Sequence, residues 1–283
     1  MRVSEFAKSL STFVLQSKKM IKKLTAVTSL LIVLLLSSCL DTEEKIVIHK
    51  NNSGLYTVTI DMSKMLVMMD QMGQKSEEDS KVPEKKDSTI YFKTLTDTAT
   101  ALSAREKELF QEGSLRMRVD EAAKELVITL NFPFQKISDL AEIRASYLST
   151  IDKLSISRKL KNEEDSTSGE EIPPSISGNK NFLNPSQDAY VFSAAAGKIS
   201  NTLINKEGFD ANVKSDSTMQ MLQQMTMMMG DMHYKTIITA PHKIKKYNGN
   251  EGVLSADKKT VTFQTTLNDV LNRPEAAEYS VEY

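Results

Sequence analysis

Residues 46–62 read Ile46-Val47-Ile48-His49-Lys50-Asn51-Asn52-Ser53-Gly54-Leu55-Tyr56-Thr57-Val58-Thr59-Ile60-Asp61-Met62. Ile46 and Ile48, then Tyr56, Val58 and Ile60, alternate with polar neighbours on either side of Asn51-Asn52-Ser53-Gly54. That pattern predicts two half-buried strands joined by a tight turn, a β-hairpin. Directly afterwards the spacing changes. Met62, Met65, Leu66, Met69 and Met72 lie at i, i+3, i+4, i+7 and i+10, one face of a helix. Asp61 suits its N-cap and Gly73 its stop.

The same switch from hairpin to helix recurs along the chain. Thr89–Leu95 reads as a short strand. Ser103-Ala104-Arg105-Glu106 is a capping box that opens a helix ending near Gly113. Leu115, Met117 and Val119 alternate, as do Leu126, Ile128 and Leu130, which predicts a second hairpin. Ser138 then caps a helix whose apolar stripe is Leu140, Ile143, Tyr147, Ile151 and Leu154. Strands are expected at 190–193, 198–204, 233–239, 252–255, 260–265 and 278–283, and a helical turn at 268–271 before Pro274. Strands that come as neighbours with short turns, with helices between hairpins, argue against a βαβ series. The expected fold is α+β: an antiparallel sheet built from hairpins and packed by several amphipathic helices.

Two stretches do not fit such a core. Residues 74–88 carry nine charges in fifteen positions, and residues 157–187 hold Pro173, Pro174 and Pro185 among acidic runs. Neither can bury enough apolar surface to offset its ordering entropy, so a disordered loop and a flexible linker are expected. The mature body is thereby divided into 46–156 and 188–283, expected to form one compact unit.

The N-terminus is an address. Lys18, Lys19, Lys22 and Lys23 precede an uncharged run from Leu24 to Leu40, rich in Leu, Ile and Val. At 17 residues this run is short for a spanning helix, which needs about 20. The order of positive region, apolar region and small residues is that of a secretory signal, here residues 1–38, and Met20 reads as a natural start within it. The run ends in Leu36-Ser37-Ser38-Cys39, which resembles the bacterial lipobox. The resemblance implies cleavage between Ser38 and Cys39, a diacylglycerol thioether on the Cys39 thiol, and acylation of the new amine. Two or more acyl chains make a stable anchor, at roughly 0.8 kcal/mol per buried methylene. The expected partner is therefore the membrane, held through lipid at Cys39. Residues 39–45, with Asp41-Thr42-Glu43-Glu44, read as an acidic spacer; this tract and the lipobox are similar to those of uncharacterised Bacteroidetes lipoproteins. That likeness implies an outer-membrane location facing the periplasm or the cell surface, and no activity.

Composition narrows the function classes. The chain has 283 residues, a formal charge of −1, one Cys, three His and no Trp. Without residues 1–38 it keeps 30 basic and 36 acidic residues, a net charge of −6. An acidic body does not adsorb on anionic lipid by charge, so the acyl chains must hold it there. No basic stripe with interleaved aromatics appears, so no nucleic acid is expected. One Cys excludes a disulfide framework and the usual zinc ligand sets. No nucleotide, nucleophile-elbow or zincin motif occurs, and the acidic runs lie in segments expected to be flexible. His49 and His233 fall in expected strands and His242 follows Pro241; nothing selects one as a base. No catalytic residue, metal or cofactor is expected.

Methionine is the unusual feature, with seven of the 15 between Met219 and Met232. Ser217–Gln220 is a capping box and Gly230 a stop. Met221, Met225, Met228 and Met232 lie at i, i+4, i+7 and i+11, one helical face. Core packing, an apolar groove lined by Met221, Met225 and Met228, and soft-metal binding are the three readings of such a stripe. The resulting expectation is a non-enzymatic envelope lipoprotein with a structural or interaction role toward another envelope protein. The alternatives are a binding module for lipid or another apolar ligand, and an enzyme without a recognisable motif.

Replacing Cys39 by Ser removes the only acceptor for the thioether. Labelling with radioactive palmitate is expected to vanish in Cys39→Ser and the signal to stay uncleaved; label retained in that variant would refute the anchor.

Overall fold

The computed structural model describes residues 41–64, 66, 67, 85–154, 189–215, 223, 224, 226 and 230–283. All of them belong to one compact unit, Cys39–Tyr283. The strands are β1 (Asp41–Ile48), β2 (Gly54–Asp61), β3 (Lys85–Tyr91), β4 (Ser114–Asp120), β5 (Glu125–Phe134), β6 (Tyr190–Ala195), β7 (Lys198–Leu203), β8 (His233–Thr239), β9 (Lys246–Gly249), β10 (Val253–Leu254), β11 (Thr260–Thr266) and β12 (Tyr279–Glu282). The helices are α1 (Lys93–Thr98), α2 (Ala104–Phe110), α3 (Asp139–Lys153), α4 (Lys206–Ser215) and α5 (Leu267–Asn272), with a 3-10 turn at Pro274–Ala277. The architecture is α+β.

Eight strands form one sheet in the order β10-β11-β8-β1-β2-β5-β4-β3, and four form a second in the order β6-β7-β12-β9. Neighbours run antiparallel except β1 and β8, which are parallel from Asp41↔His233 to Val47↔Thr239. A parallel partner cannot be reached by a tight turn. Here the whole chain from β2 to β8 makes the return.

Strand alternation places the core. In β2, Tyr56, Val58 and Ile60 are buried, and in β5 so are Leu126, Ile128, Leu130, Phe132 and Phe134. The expected stripe of α3 packs on that face: Leu140, Ile143, Tyr147, Ile151 and Leu154 are all buried. Each such aliphatic side chain contributes roughly 1.5–3 kcal/mol on leaving water. The Phe132 ring centres the cluster, 5.5 Å from Phe110, 5.6 Å from Tyr147 and 6.1 Å from Tyr56.

The capping box at α2 forms as its sequence predicts. Ser103 Oγ accepts from the Glu106 N–H at 3.2 Å, and Glu106 Oε2 accepts from the Ser103 N–H at 2.8 Å. The other Glu106 oxygen pairs with Lys153 at the end of α3. Lys153, then the Ser103 backbone, hold the Glu106 carboxyl down at about 2. At the opposite end, Arg105 of α2 grips Asp139 at 2.7 Å and Glu142 at 3.0 Å in the first turn of α3.

Several expectations need correction. β1 begins at Asp41, so Asp41–Lys45, read as a spacer, is the first half of a strand paired on both sides. Its acidic side chains have partners in the sheet, which hides the strand from a hydropathy pattern. His49 lies past the end of β1, in the turn, with Nδ1 3.2 Å from Ser53 Oγ. Strand β3 is Lys85–Tyr91, so part of the loop expected at 74–88 is a charged sheet edge, and Lys93–Thr98 is helical. Ser138 stands at the start of α3 without a side-chain cap bond. Helix α4 and strand β9 lack the periodicity that would announce them. The remainder of the loop (74–84), the linker 157–187, and Met221, Met225 and Met228 lie outside the described residues. Positions 63, 64, 66 and 67, and 223, 224 and 226, are helical, as the Met stripes predict. Met232 is buried.

The hairpin turn puts the left-handed residue at Asn52, with φ 62°, and Gly54 enters β2 opposite Phe134. A Cβ on Gly54 would stand 2.0 Å from the Val47 carbonyl oxygen and 2.4 Å from Phe134 Cζ. The backbone carbonyl cannot yield as a side chain can. Gly54→Ala is expected to destabilise the fold by about 2–3 kcal/mol, the scale of overpacking in a tight core, as read in urea melts; a loss under about 0.5 kcal/mol, the size of an inconsequential surface change, would contradict this packing.

Candidate functional site

The two sheets do not close on each other completely. A cavity of about 190 Å³ lies where the eight-stranded sheet, the N-terminal half of α3, the four-stranded sheet and the segment from α5 to β12 meet. For scale, an apolar cavity of roughly 150 Å³ accepts benzene. β1 lends Thr42 and Glu44, β8 lends Tyr234 to Thr236, and β11 lends Phe263 to Thr265. Arg144 stands on α3 between Ala141 and Ala145, and Phe192, Asn201 and Tyr279 come from the second sheet.

Arg144 organises this junction. On α3 it lies four residues after Leu140 and three before Tyr147, so the helix directs it toward the core rather than to water. Its Nη2 is 3.1 Å from Glu44 Oε2, and its Nε donates to the same oxygen at 3.1 Å. The other Glu44 oxygen accepts from Tyr56 Oη–H at 2.8 Å. Nη1 reaches Asn201 Oδ1 at 3.5 Å, and Asn201 Nδ2 donates to the Ala277 carbonyl at 2.9 Å. The guanidinium lies 4.8 Å from the centre of the Phe192 ring, a cation–π contact. One connected network thus ties β1, β2, α3, β6, β7 and the 3-10 turn.

Its electrostatics follow from burial and proximity. The ion pair is little exposed, 12% for the Arg144 side chain and 14% for Glu44. Burial alone works against the Arg144 charge, but Glu44, Tyr279 and Tyr56 outweigh it and hold the guanidinium above its ordinary value. Burial, then the Glu44 charge, push the Tyr56 phenol well up. Burial likewise raises the phenols of Tyr234 and Tyr279, so both stay protonated.

Three hydroxyls in the walls are different. Tyr234 Oη, Thr265 Oγ1 and Tyr279 Oη are closed off from solvent and have no hydrogen-bond partner among the described residues. An unpaired buried hydroxyl carries a desolvation cost of about 1–3 kcal/mol. All three belong to residues that border the cavity, but the oxygens themselves are packed inside its wall and do not open onto it. The charges, by contrast, already have partners. Lys235 Nζ bonds Glu43 Oε2 at 2.8 Å, and Glu278 Oε1 accepts from the Leu203 N–H at 2.9 Å.

Among the described residues, none of those singled out as candidate sites in the sequence lines this cavity. Met221, Met225 and Met228 lie outside the described residues, as do Ser38 and Cys39. His233 is 3.5 Å from Asp41 at the end of the sheet, and His49 is in the β1–β2 turn. Arg144 and Glu44 did leave a signal. Arg144 interrupts an apolar helical stripe, and Glu44 shares the phase of Ile46 and Ile48 in its strand.

Among the described residues no helix is long and apolar enough to cross a membrane. No protein-family model matches the chain. No curated protein matches it in sequence. Among solved structures, the folded domain of LppM from Mycobacterium tuberculosis, determined by NMR, overlays with a TM-score of 0.31 at 7% identity, over 87% of this chain and 91% of that one. An overlay this loose carries no argument about function.

The network makes a sharp prediction. Arg144→Met leaves Glu44 buried beside Tyr56 without its cation, so a loss of about 3–5 kcal/mol is expected. The double variant Arg144→Met, Glu44→Leu removes both charges and is expected to regain most of that loss. Denaturant melts of the single and double variants decide; a double variant no better than the single one would mean that the two residues are not coupled.

Proposed function

We propose that this chain is a lipid-anchored cell-envelope protein whose body is a binding module rather than an enzyme. The observation that carries the reading is the cavity of about 190 Å³ at the junction of the two sheets, bordered by apolar side chains and by the mutually paired Arg144 and Glu44. A catalytic site needs a group poised to give or take a proton or to attack. Here Arg144 and Glu44 are engaged with each other, Lys235 with Glu43 and Glu278 with the Leu203 N–H, and the phenols of Tyr234 and Tyr279 are driven away from titration near neutral pH. A binding site needs room, apolar walls and a few polar contacts, and the cavity combines these.

The structural or interaction role expected from the sequence gives way in this reading to its alternative, a module for an apolar or amphipathic ligand. The site moves from the methionine stripe to the sheet junction. The anchor also bears on the proposal. Thr42, in the cavity wall, is three residues from Cys39, and an extended chain spans at most about 3.6 Å per residue. If Cys39 is acylated, the cavity is tethered within about 11 Å of the lipid-bearing residue, on the side of the sheet where β1 begins.

Indole is a suitable probe, because the chain has no Trp to mask its emission. The body 39–283 carrying Cys39→Ser is expected to bind indole saturably, with a blue shift. Ala145→Phe, at the exposed rim of the cavity beside Arg144, is expected to weaken that binding at least about tenfold, the effect of an occluded pocket worth about 1.4 kcal/mol or more, with little change in melting temperature. Unchanged affinity in Ala145→Phe would remove the cavity as the site.

A further inference from the structure

We infer that the exposed turns carrying Lys243, Lys246, Lys258 and Lys259 are a docking surface for a linear polyanion, an acidic polysaccharide. The surface is separate from the cavity, and its occupation does not require the cavity to hold a ligand.

Positive charge is concentrated there against the trend of the chain. From Cys39 onward acids outnumber bases, for a net charge of −6. Residues 240–259 reverse the sign, with Lys243, Lys245, Lys246, Lys258 and Lys259 against Glu251 and Asp257. The fold brings the two ends of that stretch together. The Ala240 N–H donates to the Lys259 carbonyl at 2.8 Å, and the Ile244 N–H to the Lys258 carbonyl at 2.7 Å. Ile244 is buried and pins the segment, while the five lysines around it are exposed.

The nearby acids are engaged elsewhere. Asp257 Oδ1 accepts from Ser255 Oγ–H at 2.6 Å and from the Lys259 N–H at 3.0 Å, which shapes the turn. Glu282, the register partner of Lys246, pairs with Lys198 at 3.4 Å. Lys245 Nζ donates to the Tyr283 carbonyl at 3.2 Å. Among the described residues Lys243, Lys246, Lys258 and Lys259 enter no ion pair, whereas Lys85, Lys153, Lys198, Lys206 and Lys235 each do. Lys258 has φ 60°, a left-handed conformation that glycine adopts without strain and lysine does not. The turn thus holds a charge where its geometry favours a glycine.

The kind of partner follows from the kind of charge. Lysine is a compact point charge on a flexible stem, without the planar fork by which arginine grips one carboxylate or phosphate. It is depleted in the interfaces that proteins make with one another. Several such charges on exposed turns read charge density rather than shape, and a polymer with regularly spaced acidic groups supplies it. Position selects the carbohydrate. Ala240 follows the end of β8, which runs parallel to β1, so the lysines lie at the end of the sheet opposite Asp41. Cys39 is two residues before Asp41. At roughly 3.3 Å per residue the two ends of β1 are about 23 Å apart, whereas a surface field decays over about 8 Å at physiological salt. With the proposed anchor at Cys39, the lysines face away from the anchoring headgroups and into the envelope space, where carbohydrate polymers are the extended polyanions. The same screening hides the acidic remainder of the body from a polymer bound there.

The test is binding of the body 39–283 carrying Cys39→Ser to polygalacturonate, dextran, polyglutamate and vesicles of anionic phospholipid, at low and physiological salt. Polygalacturonate is expected to bind and uncharged dextran is not. The affinity is expected to fall steeply with salt, and less steeply with each lysine removed. Lys243→Gln, Lys258→Gly and Lys259→Gln are each expected to weaken binding about threefold, the scale of one exposed ion pair, and about tenfold or more together. Lys258→Gly also relieves the left-handed residue, so its melting temperature is expected to rise while its binding falls. Lys85→Gln and Lys206→Gln, in other elements, are expected to stay within about twofold of the parent. Absence of polygalacturonate binding at low salt overturns the inference, as does binding that the triple variant retains. Polyglutamate bound about tenfold tighter than polygalacturonate would assign the surface to an acidic protein. Vesicles bound through the same lysines in place of polygalacturonate would assign it to a membrane. Either result overturns the polysaccharide. Indole binding is expected to be unchanged in the triple variant, so a failure here leaves the cavity standing and a failure of the cavity leaves this surface standing.

Discussion

Strand β1 is hydrogen-bonded along its length on both sides, to β2 in antiparallel register and to β8 in parallel register. Remove it and the eight-stranded sheet separates into β10-β11-β8 and β2-β5-β4-β3. The first piece comes from the C-terminal part of the chain and the second from the N-terminal part. One strand of eight residues therefore joins the two parts of the chain into a single sheet. Its inward side chains, Thr42, Glu44, Ile46 and Ile48, pass from cavity wall to hydrophobic core in four alternate positions.

That strand also explains why an ion pair is tolerated inside. Glu44 sits in the inward phase of β1, where the core would otherwise demand an apolar residue. A buried carboxylate alone is prohibitively costly. Here Glu44 is paired with a guanidinium delivered from α3 and accepts from a phenol on the neighbouring strand. The helix can deliver Arg144 there because its apolar stripe, seated on β5, fixes both its rotation and its height over the sheet. The same pair prevents the second sheet from packing flush on the first, since the Arg144 side chain lies against the Phe192 ring. A cavity at that junction is the geometric consequence.

Local pattern was a reliable guide where one residue's environment is set by its near neighbours in the chain. The β1–β2 hairpin, the β4–β5 hairpin, the α2 capping box and the α3 stripe are all of this kind. Alternation in β2 and the stripe of α3 each identify a buried face without reference to the partner that buries it. The pattern faltered where partners were distant. Asp41–Lys45 reads as a solvated tether because its acids balance lysines and arginines that are far away in sequence, Lys235 and Arg144. The edge strand β3 reads as disordered because charges that discourage edge pairing look, in one dimension, like those of a loop.

The sequence by itself determined the α+β class, the β1–β2 and β4–β5 hairpins, the capped start of α2 and the face that α3 buries. It also carries Leu36-Ser37-Ser38-Cys39, contiguous residues that resemble a lipobox. These features depend on contacts within a few positions, so periodicity and motif suffice. Only the tertiary structure decided that β1 pairs in parallel with β8, that Glu44 meets Arg144 across 100 positions, and that Tyr234, Thr265 and Tyr279 surround one cavity. Each of those depends on closing long loops between segments whose local patterns are indifferent to one another. The free energy that selects the arrangement comes from burial and pairing that exist only once the chain has closed.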